Sequence, residues 1–307
     1  MDKLPASEYF KTIARTKNIS AAAEELGISQ PALSAFLKRQ EATIGHTLID
    51  RSTVPVSLTE AGRVYLDYLD KMDILNHELS QELCDIDELK IGTLVIGGAT
   101  FFNVTYLPTA VAEFNKLYPG IRIEIVDGKV PEIAVQANAG NIDVFTTAVK
   151  TDEDMFCYEE MFNEKLFLCI PEEWEINRKL PPQGPEGYAV LEPDDLKLLA
   201  DSTFILLHED QDIGHKMNCI FNEFNLHPIN TLIAGQTLTT LELTLAGVGI
   251  SLISESTLST YSAVKRPCLY YIDSELCTRT MYVAYPRMRY VSGATKEFIK
   301  TLKKHNR

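Results

Sequence analysis

The residues best suited to chemistry by type and spacing lie near the N-terminus. Gln30, Ser34 and Lys38 follow one another at intervals of four, which places them on one face of a helix. The amide of Gln30 can pair with an adenine edge through two hydrogen bonds. The hydroxyl of Ser34 can bind a base or a phosphate, and Lys38 can bind a phosphate. The alternative for each is an ordinary solvated surface residue, so the surrounding elements decide.

The charge distribution restricts contact with a polyanion to this part of the chain. The 307 residues carry a net charge of −14, which argues against a general nucleic-acid coat or a binder of anionic membranes. Residues 1–63 hold eight basic and seven acidic side chains and are therefore +1, whereas residues 64–307 carry −15. The length predicts roughly two domains.

The first sixty residues predict short helices joined by tight turns. An apolar face indicates a first helix at Tyr9, Phe10, Ile13 and Ala14. Ser20 is the expected N-cap of a second helix that ends at Gly27. Ser29 is the expected cap of a third helix, which has Pro31 in its first turn and runs to Gly45. Two short helices around a glycine-containing turn predict a helix-turn-helix.

A small hairpin and a long helix are predicted next. Residues 51–62 alternate around Pro55, which suits a hairpin or wing, and Thr59 would cap a helix from Glu60 to about Glu88. The apolar residues of this helix recur at steps of three and four, at Tyr65, Leu66, Leu69, Met72, Leu75, Leu79, Leu83 and Ile86. That spacing predicts pairing with a second copy of the helix, the alternative being packing on its own domain.

After Lys90 strands and helices alternate, which predicts parallel sheets covered by helices. The expected strands begin near residues 94, 121, 141, 165, 202, 230, 248 and 279, and the helices near 106, 131, 214, 238 and 294. The proline-rich residues 171–203 are expected to form an irregular connection.

The run from Ser20 to Gly62 resembles the N-terminal winged helix-turn-helix of LysR-type transcriptional regulators. The matching positions are Ser20, Ala22, Ala23, Leu26, Ser29, Gln30, Pro31, Ala32, Leu33, Ser34, Glu41, Gly45, Leu48, Arg51, Leu58, Thr59 and Gly62. The rest of the chain also fits that family. The resemblance departs at Ala35 and Phe36, where the family usually carries polar or basic residues, and in the wing, which lacks the usual basic residue.

The resemblance implies an α/β protein with an α-rich winged helix-turn-helix at residues 1–62, a linker or dimerisation helix at 60–88 and an effector domain at 90–307. The effector domain would be two-lobed, like the periplasmic binding proteins. Its first lobe would comprise about 90–165 plus 278–307 and its second about 166–277.

The same resemblance implies two sites. Contacts to DNA are expected from Ser29, Gln30, Pro31, Ser34, Lys38, Arg51 and Thr53. A small-molecule effector is expected in a cleft between the lobes, at Thr100, Phe101, Phe102, Thr147, His208, Gln236, Thr237 and Thr239. Helix N-termini in such a cleft suit carboxylates.

The expected function is therefore that of a cytoplasmic DNA-binding regulator controlled by a small molecule. Its expected partners are double-stranded promoter DNA, the effector, further copies of itself in a dimer or tetramer, and RNA polymerase, but no membrane. No enzyme is expected, because the sequence lacks G-x-S-x-G, P-loop and H-E-x-x-H motifs. No metal or cofactor is expected, and the six scattered cysteines suit reduced thiols. The alternative is a small-molecule-binding module with a weak or vestigial DNA-binding head.

Overall fold

The computed structural model describes residues 6–86, 89, 91–261 and 265–306. It divides into two compact units, the first ending at Ser80 and the second beginning at Gln81. The predicted end of the long helix at Glu88 lies outside the described residues. No helix within these ranges combines the length and apolar character needed to cross a bilayer.

The first unit contains three short helices, a two-stranded ladder and most of a long helix. These are α1 (Ala6–Thr16), α2 (Ile19–Glu25), α3 (Gln30–Ile44), β1 (Ile49–Asp50), β2 (Ser57–Leu58) and α4 (Glu60–Ile86).

Helix capping differs from the prediction at α2 and agrees with it at α3. Asn18, not Ser20, caps α2, because its side-chain oxygen accepts hydrogen bonds from the backbone N–H groups of Ser20 and Ala21. Ser29 caps α3 by accepting from the Ala32 N–H at 3.4 Å. Gly45 ends α3 at φ 78°, a left-handed conformation that glycine adopts without steric cost.

The hairpin begins earlier than predicted. Its paired residues are Ile49 with Leu58 and Asp50 with Ser57, so the first strand precedes residue 51. The carboxylate of Glu41 accepts from the backbone N–H of Leu48 at 2.9 Å, which holds the first strand against α3. Val54, one of the residues that alternate around Pro55, is 99% exposed in the loop between the two strands.

The core of this unit explains one departure from the family pattern. Phe36 is buried with Leu33 and Leu37, and its ring meets Tyr9 edge-on at 5.1 Å. It therefore lies on the inner face of α3 and not on the exposed face that carries Gln30 and Lys38.

The second unit is a mixed α/β structure. Its first part contains β3 (Gly92–Gly98), α5 (Thr100–Leu117), β4 (Ile121–Asp127), α6 (Val130–Asn138), β5 (Val144–Thr147) and β6 (Phe156–Ile170). Then follow β7 (Ala189–Leu191), α7 (Pro193–Lys197), β8 (Thr203–Leu207), α8 (Asp212–Glu223), β9 (Asn230–Ala234), α9 (Thr237–Leu245), β10 (Ile250–Ser254), α10 (Glu255–Thr260), β11 (Cys268–Ile272), β12 (Thr278–Pro286) and α11 (Gly293–His305).

The strands form two lobes that share β6. The order is β4-β3-β5-β12-β6-β10-β8-β9, with β11 between β6 and β7. Residues 156–165 of β6 pair with β12, and residues 166–169 pair with β10. Because the chain crosses between the lobes along β6 and again into β12, these two strands connect them. The two-lobed α/β fold predicted from the sequence is confirmed.

Several element boundaries differ from the prediction. Helix α5 begins at Thr100 and not near Tyr106, with Pro108 inside it. The predicted helix would have had Pro108 in its first turn, where proline is commonest. Strand β6 begins at Phe156, well before Lys165. Residues 171–203 are not wholly irregular: they contain β7 and α7, and β7 is held by parallel pairing with β11, a strand that was not predicted.

Candidate functional sites

The N-terminal face of α3 presents the polar residues selected from the sequence. Gln30 and Pro31 are exposed and Ser34 is half-buried. The Gln30 amide donates to the Ser34 hydroxyl at 3.1 Å, so both groups lie on one face. Ser29 is exposed but serves as the cap of α3. Together with the positive end of the helix dipole, this face suits hydrogen bonding to bases and phosphates.

The two basic residues expected to contact DNA, Lys38 and Arg51, differ in their side-chain contacts. Lys38 is exposed, and within the described ranges the structure gives it no ion pair. Arg51 donates to the Glu41 carboxylate at 3.1 Å and is thereby tied to α3. Thr53 is exposed in the hairpin loop, with its hydroxyl 3.4 Å from that of Ser57. Lys38 is therefore the more available phosphate ligand of the two cations.

A cavity of about 630 Å³ lies between the two lobes of the second unit. The first lobe lines it with Ala99, Thr100, Phe101, Phe102, Asp127, Gly128, Lys129, Val130, Pro131, Glu132, Ala148, Val149 and Thr151. The second lobe and the start of β12 line it with Leu207, His208, Asp210, Gln211, Asp212, Ile213, Gly235, Gln236, Thr237 and Arg279. We call this space the interlobe cavity.

Four helices begin at the wall of the interlobe cavity, namely α5, α6, α8 and α9. No side chain caps the first turns of α5, α8 and α9, whereas α2, α3, α10 and α11 are capped by Asn18, Ser29, Ser254 and Ser292. A first turn leaves backbone N–H groups without a partner inside the helix. The cavity is therefore supplied with backbone donors and positive helix ends.

The close approach of α8 to the cavity depends on Gly214. A Cβ at this position would overlap the backbone oxygen of His208. The glycine lets the first turn of α8 lie against the end of β8, which brings Gln211 and Asp212 to the cavity wall.

Arg279 is a buried cation that lines the cavity. Its side chain is 3% exposed, its Nε donates to Glu164 at 2.6 Å and its Nη1 donates to Asp212 at 3.1 Å. Its Nη2 has no hydrogen-bond partner among the residues that the structure describes. Burial disfavours the charged form, but the attraction of Glu164 and Asp212 outweighs this and raises the pKa of Arg279.

Glu164 also connects the lobes. Its carboxylate accepts from the Tyr106 hydroxyl of the first lobe at 3.2 Å and from the Ser256 backbone N–H of the second at 3.2 Å. The hydroxyls of Tyr106 and Ser256 lie 2.6 Å apart. Burial, followed by the nearby charge of Glu164, raises the pKa of Tyr106, so its hydroxyl stays protonated.

An ion pair crosses the mouth of the cavity. Lys129 of the first lobe donates to Asp210 of the second at 2.6 Å. This hydrogen bond raises the pKa of Lys129 and lowers that of Asp210. Both groups are more than half exposed, so the pair adds little stability but can open and close readily.

Six of the eight predicted effector residues line the interlobe cavity: Thr100, Phe101, Phe102, His208, Gln236 and Thr237. Thr239 lines an adjoining cavity of about 470 Å³ between α5, α9 and α10. Thr147 lines neither space. It is fully buried in β5, where its hydroxyl donates to the Val149 carbonyl at 2.8 Å, so its selection as a cavity residue was wrong.

The cavity residues that were missed in the sequence include three that carry N–H donors, namely Lys129, Gln211 and Arg279. Arg279 had a usable signal, since it is a single cation at the start of the otherwise uncharged strand segment RTMYVAYP. Lys129 and Gln211 lie in connections whose position depends on the fold of both lobes.

Comparison with known proteins gives matches over nearly the whole chain. Residues 4–63 match the model for a bacterial regulatory helix-turn-helix protein of the lysR family, and residues 87–307 match the LysR substrate binding domain. The chain is 24% identical to the uncharacterised HTH-type transcriptional regulator YybE of Bacillus subtilis, over 95% of this chain and 94% of that protein. It is 26% identical to a probable RuBisCO transcriptional regulator of Trieres chinensis, over 95% and 93%.

A solved structure shares the fold. The crystal structure of full-length CbnR complexed with its target DNA superimposes with a TM-score of 0.65 at 17% identity, covering 98% of both chains.

Proposed function

Because this chain belongs to the LysR family of bacterial helix-turn-helix transcriptional regulators, we propose that it binds double-stranded promoter DNA as a dimer or tetramer and that a small molecule in the interlobe cavity changes that binding. The observation that carries the proposal is the exposed polar face of α3 in the same chain as a cavity lined by both lobes. The proposal assigns no catalysed reaction. It places the protein in the cytoplasm with its DNA and leaves RNA polymerase as a further partner.

The DNA-reading step follows from the geometry of α3. In a helix-turn-helix the second helix enters the major groove and its N-terminal residues meet the base edges. Here those residues are Gln30, Pro31 and Ser34, and Lys38 follows one turn later, where it would bind a phosphate. Gln30 would read adenine, and Lys38 would add affinity without sequence preference.

The dimer follows from an exposed apolar stripe on α4. Leu75, Leu79, Leu83 and Ile86 are 59%, 55%, 52% and 75% exposed, and Met72 and Tyr68 continue the same face. A helix seldom leaves so long an apolar face in water, so a second copy is the expected cover. The two copies would present two α3 helices to two half-sites.

The response to a small molecule follows from the division of the cavity wall. The uncapped α5 belongs to the first lobe and the uncapped α9 to the second. A ligand that contacts both lobes favours the state in which they lie close, because only that state offers both sets of contacts. Closure would change the arrangement of subunits and thus the spacing of the DNA-binding heads.

The direct test is footprinting of the purified protein on the DNA flanking its own gene, with and without a panel of metabolites. We expect protection of paired half-sites and a changed pattern with at least one metabolite. If the DNA is not protected at low salt, the alternative is favoured, namely a small-molecule-binding module with a vestigial DNA-binding head. Two observations motivate that alternative: the hairpin carries few basic residues, and Arg51 is held by Glu41.

Replacing Lys38 by alanine is expected to weaken DNA binding by a similar factor on all sequences. One lost phosphate contact lowers the slope of log K against log salt by about 0.9. Fluorescence anisotropy over a salt series measures both effects. Lys116→Ala, which removes an exposed lysine of the second unit, is the control and should change neither value. An unchanged slope in the Lys38 variant would remove this residue from the interface.

Replacing Thr100 by tryptophan is expected to abolish the effect of the small molecule and to leave DNA binding intact. Thr100 is exposed at the cavity wall, so the large ring fills the cavity without disturbing a core. Thr237 is 8% exposed and is a less clean site for the same change. Thr109→Trp, on the exposed side of α5 and outside the cavity, is the matched control. If the response survives in the Thr100 variant, the interlobe cavity is not the effector site.

A further inference from the structure

We propose that the ligand of the interlobe cavity is a small zwitterion of the α-amino acid type. Its carboxylate would bind Arg279 and the first-turn amides, and its ammonium group would bind Gln211 and Asp127. This inference rests on the proposed function, since it takes the cavity to be the effector site, and it adds the chemical class of the effector.

The need for an anionic oxygen is shown by Arg279. A buried guanidinium normally has all its N–H groups paired, because an unpaired buried donor costs free energy. Glu164 and Asp212 satisfy Nε and Nη1, while Nη2 remains without a partner on a side chain that is 3% exposed and lines the cavity. A ligand carboxylate supplies the missing acceptor.

The need for a cationic or N–H donor is shown by Gln211. Its Oε1 is buried and has no partner within the described part of the chain, while its Nε2 donates to the Gly235 carbonyl at 3.2 Å. That second bond determines the orientation of the amide, because a flipped side chain would place two oxygens against each other. The unpaired atom is therefore an acceptor, and a ligand must offer it a hydrogen.

The charge of the cavity wall selects a zwitterion over a dianion. The wall carries four carboxylates, at Asp127, Glu132, Asp210 and Asp212, but only two cations, at Lys129 and Arg279. A ligand with two negative groups would meet a net negative surface, which repels it. A single carboxylate can bind at the helix ends and Arg279, and an ammonium group offsets the carboxylate excess.

The uncapped helices agree with this assignment. The first turns of α5 and α9 face the cavity from opposite lobes, and each carries a threonine hydroxyl, at Thr100 and Thr237. Backbone N–H groups and hydroxyls can share a carboxylate with Arg279. Asp127 accepts from the Asn103 amide through one oxygen at 2.8 Å, and its carboxylate has further acceptor capacity for an ammonium group.

The inference is tested with the full chain and twenty L-amino acids, by thermal shift and then by titration calorimetry. We expect at least one amino acid to raise the unfolding temperature. For the strongest, we compare the carboxylic acid that lacks the amino group and the amine that lacks the carboxylate. Each analogue is expected to bind at least 10-fold more weakly, because each leaves one buried group of the protein unpaired.

Gln211→Leu gives a second readout, in which the protein is altered instead of the ligand. The change removes the hydrogen-bond acceptor and keeps a side chain of similar volume. We expect the affinity for the amino acid to fall at least 10-fold and the affinity for the carboxylic acid analogue to stay unchanged. Gln136→Leu, on α6 beyond the cavity wall, is the matched control and should change neither. Circular dichroism confirms that each variant is folded.

The inference is overturned if the carboxylic acid analogue binds as tightly as the amino acid, or if a dicarboxylate gives the largest shift. It is also overturned if no amino acid binds while another metabolite alters the footprint, and in that case the proposed function stands. Conversely, an amino acid that binds in the predicted way but leaves the DNA footprint unchanged supports this inference and contradicts the proposed regulation.

Discussion

Replacing Leu75 and Leu79 together by lysine is expected to convert the protein to a monomer and to lower its affinity for a two-half-site operator by roughly 100- to 10,000-fold. The monomer retains one α3 helix, so its binding to a single half-site should change little. Sedimentation velocity measures the oligomeric state, and anisotropy on one-site and two-site DNA measures the two affinities.

The dimer is expected to depend on burial of the exposed apolar residues of α4, and lysine at two of these positions opposes that burial. Leu75 and Leu79 are 59% and 55% exposed in one copy, and burial of a leucine contributes about 1.5–3 kcal/mol. Lysine forms helices nearly as well as leucine, so the helix itself survives the change. In a dimer this change would place four lysines in one interface, two from each copy, and their like charges would repel.

Leu75→Met with Leu79→Met is the matched control, because it alters shape at the same positions and keeps the surface apolar. This variant should remain dimeric and bind the two-site DNA. A lysine variant that is still dimeric would show that the stripe of α4 is not the principal interface.

Replacing Arg279 by methionine is expected to lower the free energy of unfolding by about 3–5 kcal/mol, the usual cost of removing one partner from a buried ion pair. Glu164 and Arg279 are both 3% exposed at the side chain, and Asp212 is 16% exposed. Without the guanidinium, two carboxylates remain close together with no cation to compensate them. Urea denaturation of the second unit measures the loss.

The paired variant Arg279→Met with Glu164→Gln distinguishes charge from packing. It removes the most deeply buried carboxylate along with the cation, and the glutamine still accepts from Tyr106, so part of the lost stability should return. If both variants lose the same amount, then the contact of the Arg279 guanidinium with the Phe102 ring, whose centroid lies 5.4 Å from Cζ, dominates and the ion-pair explanation is wrong.

The order of elements was readable from the sequence because it depends on local signals. Ser29 before Pro31 and Gly45 at the far end define α3 through capping and backbone freedom, which act within a few residues. The apolar spacing of α4 predicted one continuous face for a second copy, and the structure shows the part from Met72 to Ile86 exposed. The earlier part, at Tyr65, Leu66 and Leu69, packs instead in the core of the first unit. The alternation of strands and helices likewise predicted the two-lobed α/β fold.

The errors arose where a local signal competed with tertiary contacts. The predicted start of α5 near Tyr106 would place Pro108 in the first turn. The helix instead begins at Thr100, because Phe102 and Tyr106 pack in the core of the first lobe. Strand β7 exists because β11 pairs with it, and that partner lies some eighty residues away in the chain. In the sequence, Phe36 was a departure from the polar or basic residue that the family usually carries there. The structure shows that it belongs to the core, where its ring contacts Tyr9.

By itself, then, the sequence determined the family resemblance, the capped α3 with its polar face, the apolar stripe of α4 and the general location of an effector cleft. Only the tertiary structure decided that Thr147 is buried, that Arg51 is tied to Glu41, and that Arg279 and Gln211, which both line the cavity, each carry a buried polar atom with no partner among the described residues. The reason is the distance along the chain between the residues that interact. Caps and periodic faces depend on neighbours within a turn or two, whereas whether a buried donor or acceptor is satisfied depends on strands and helices that meet only after both lobes have folded.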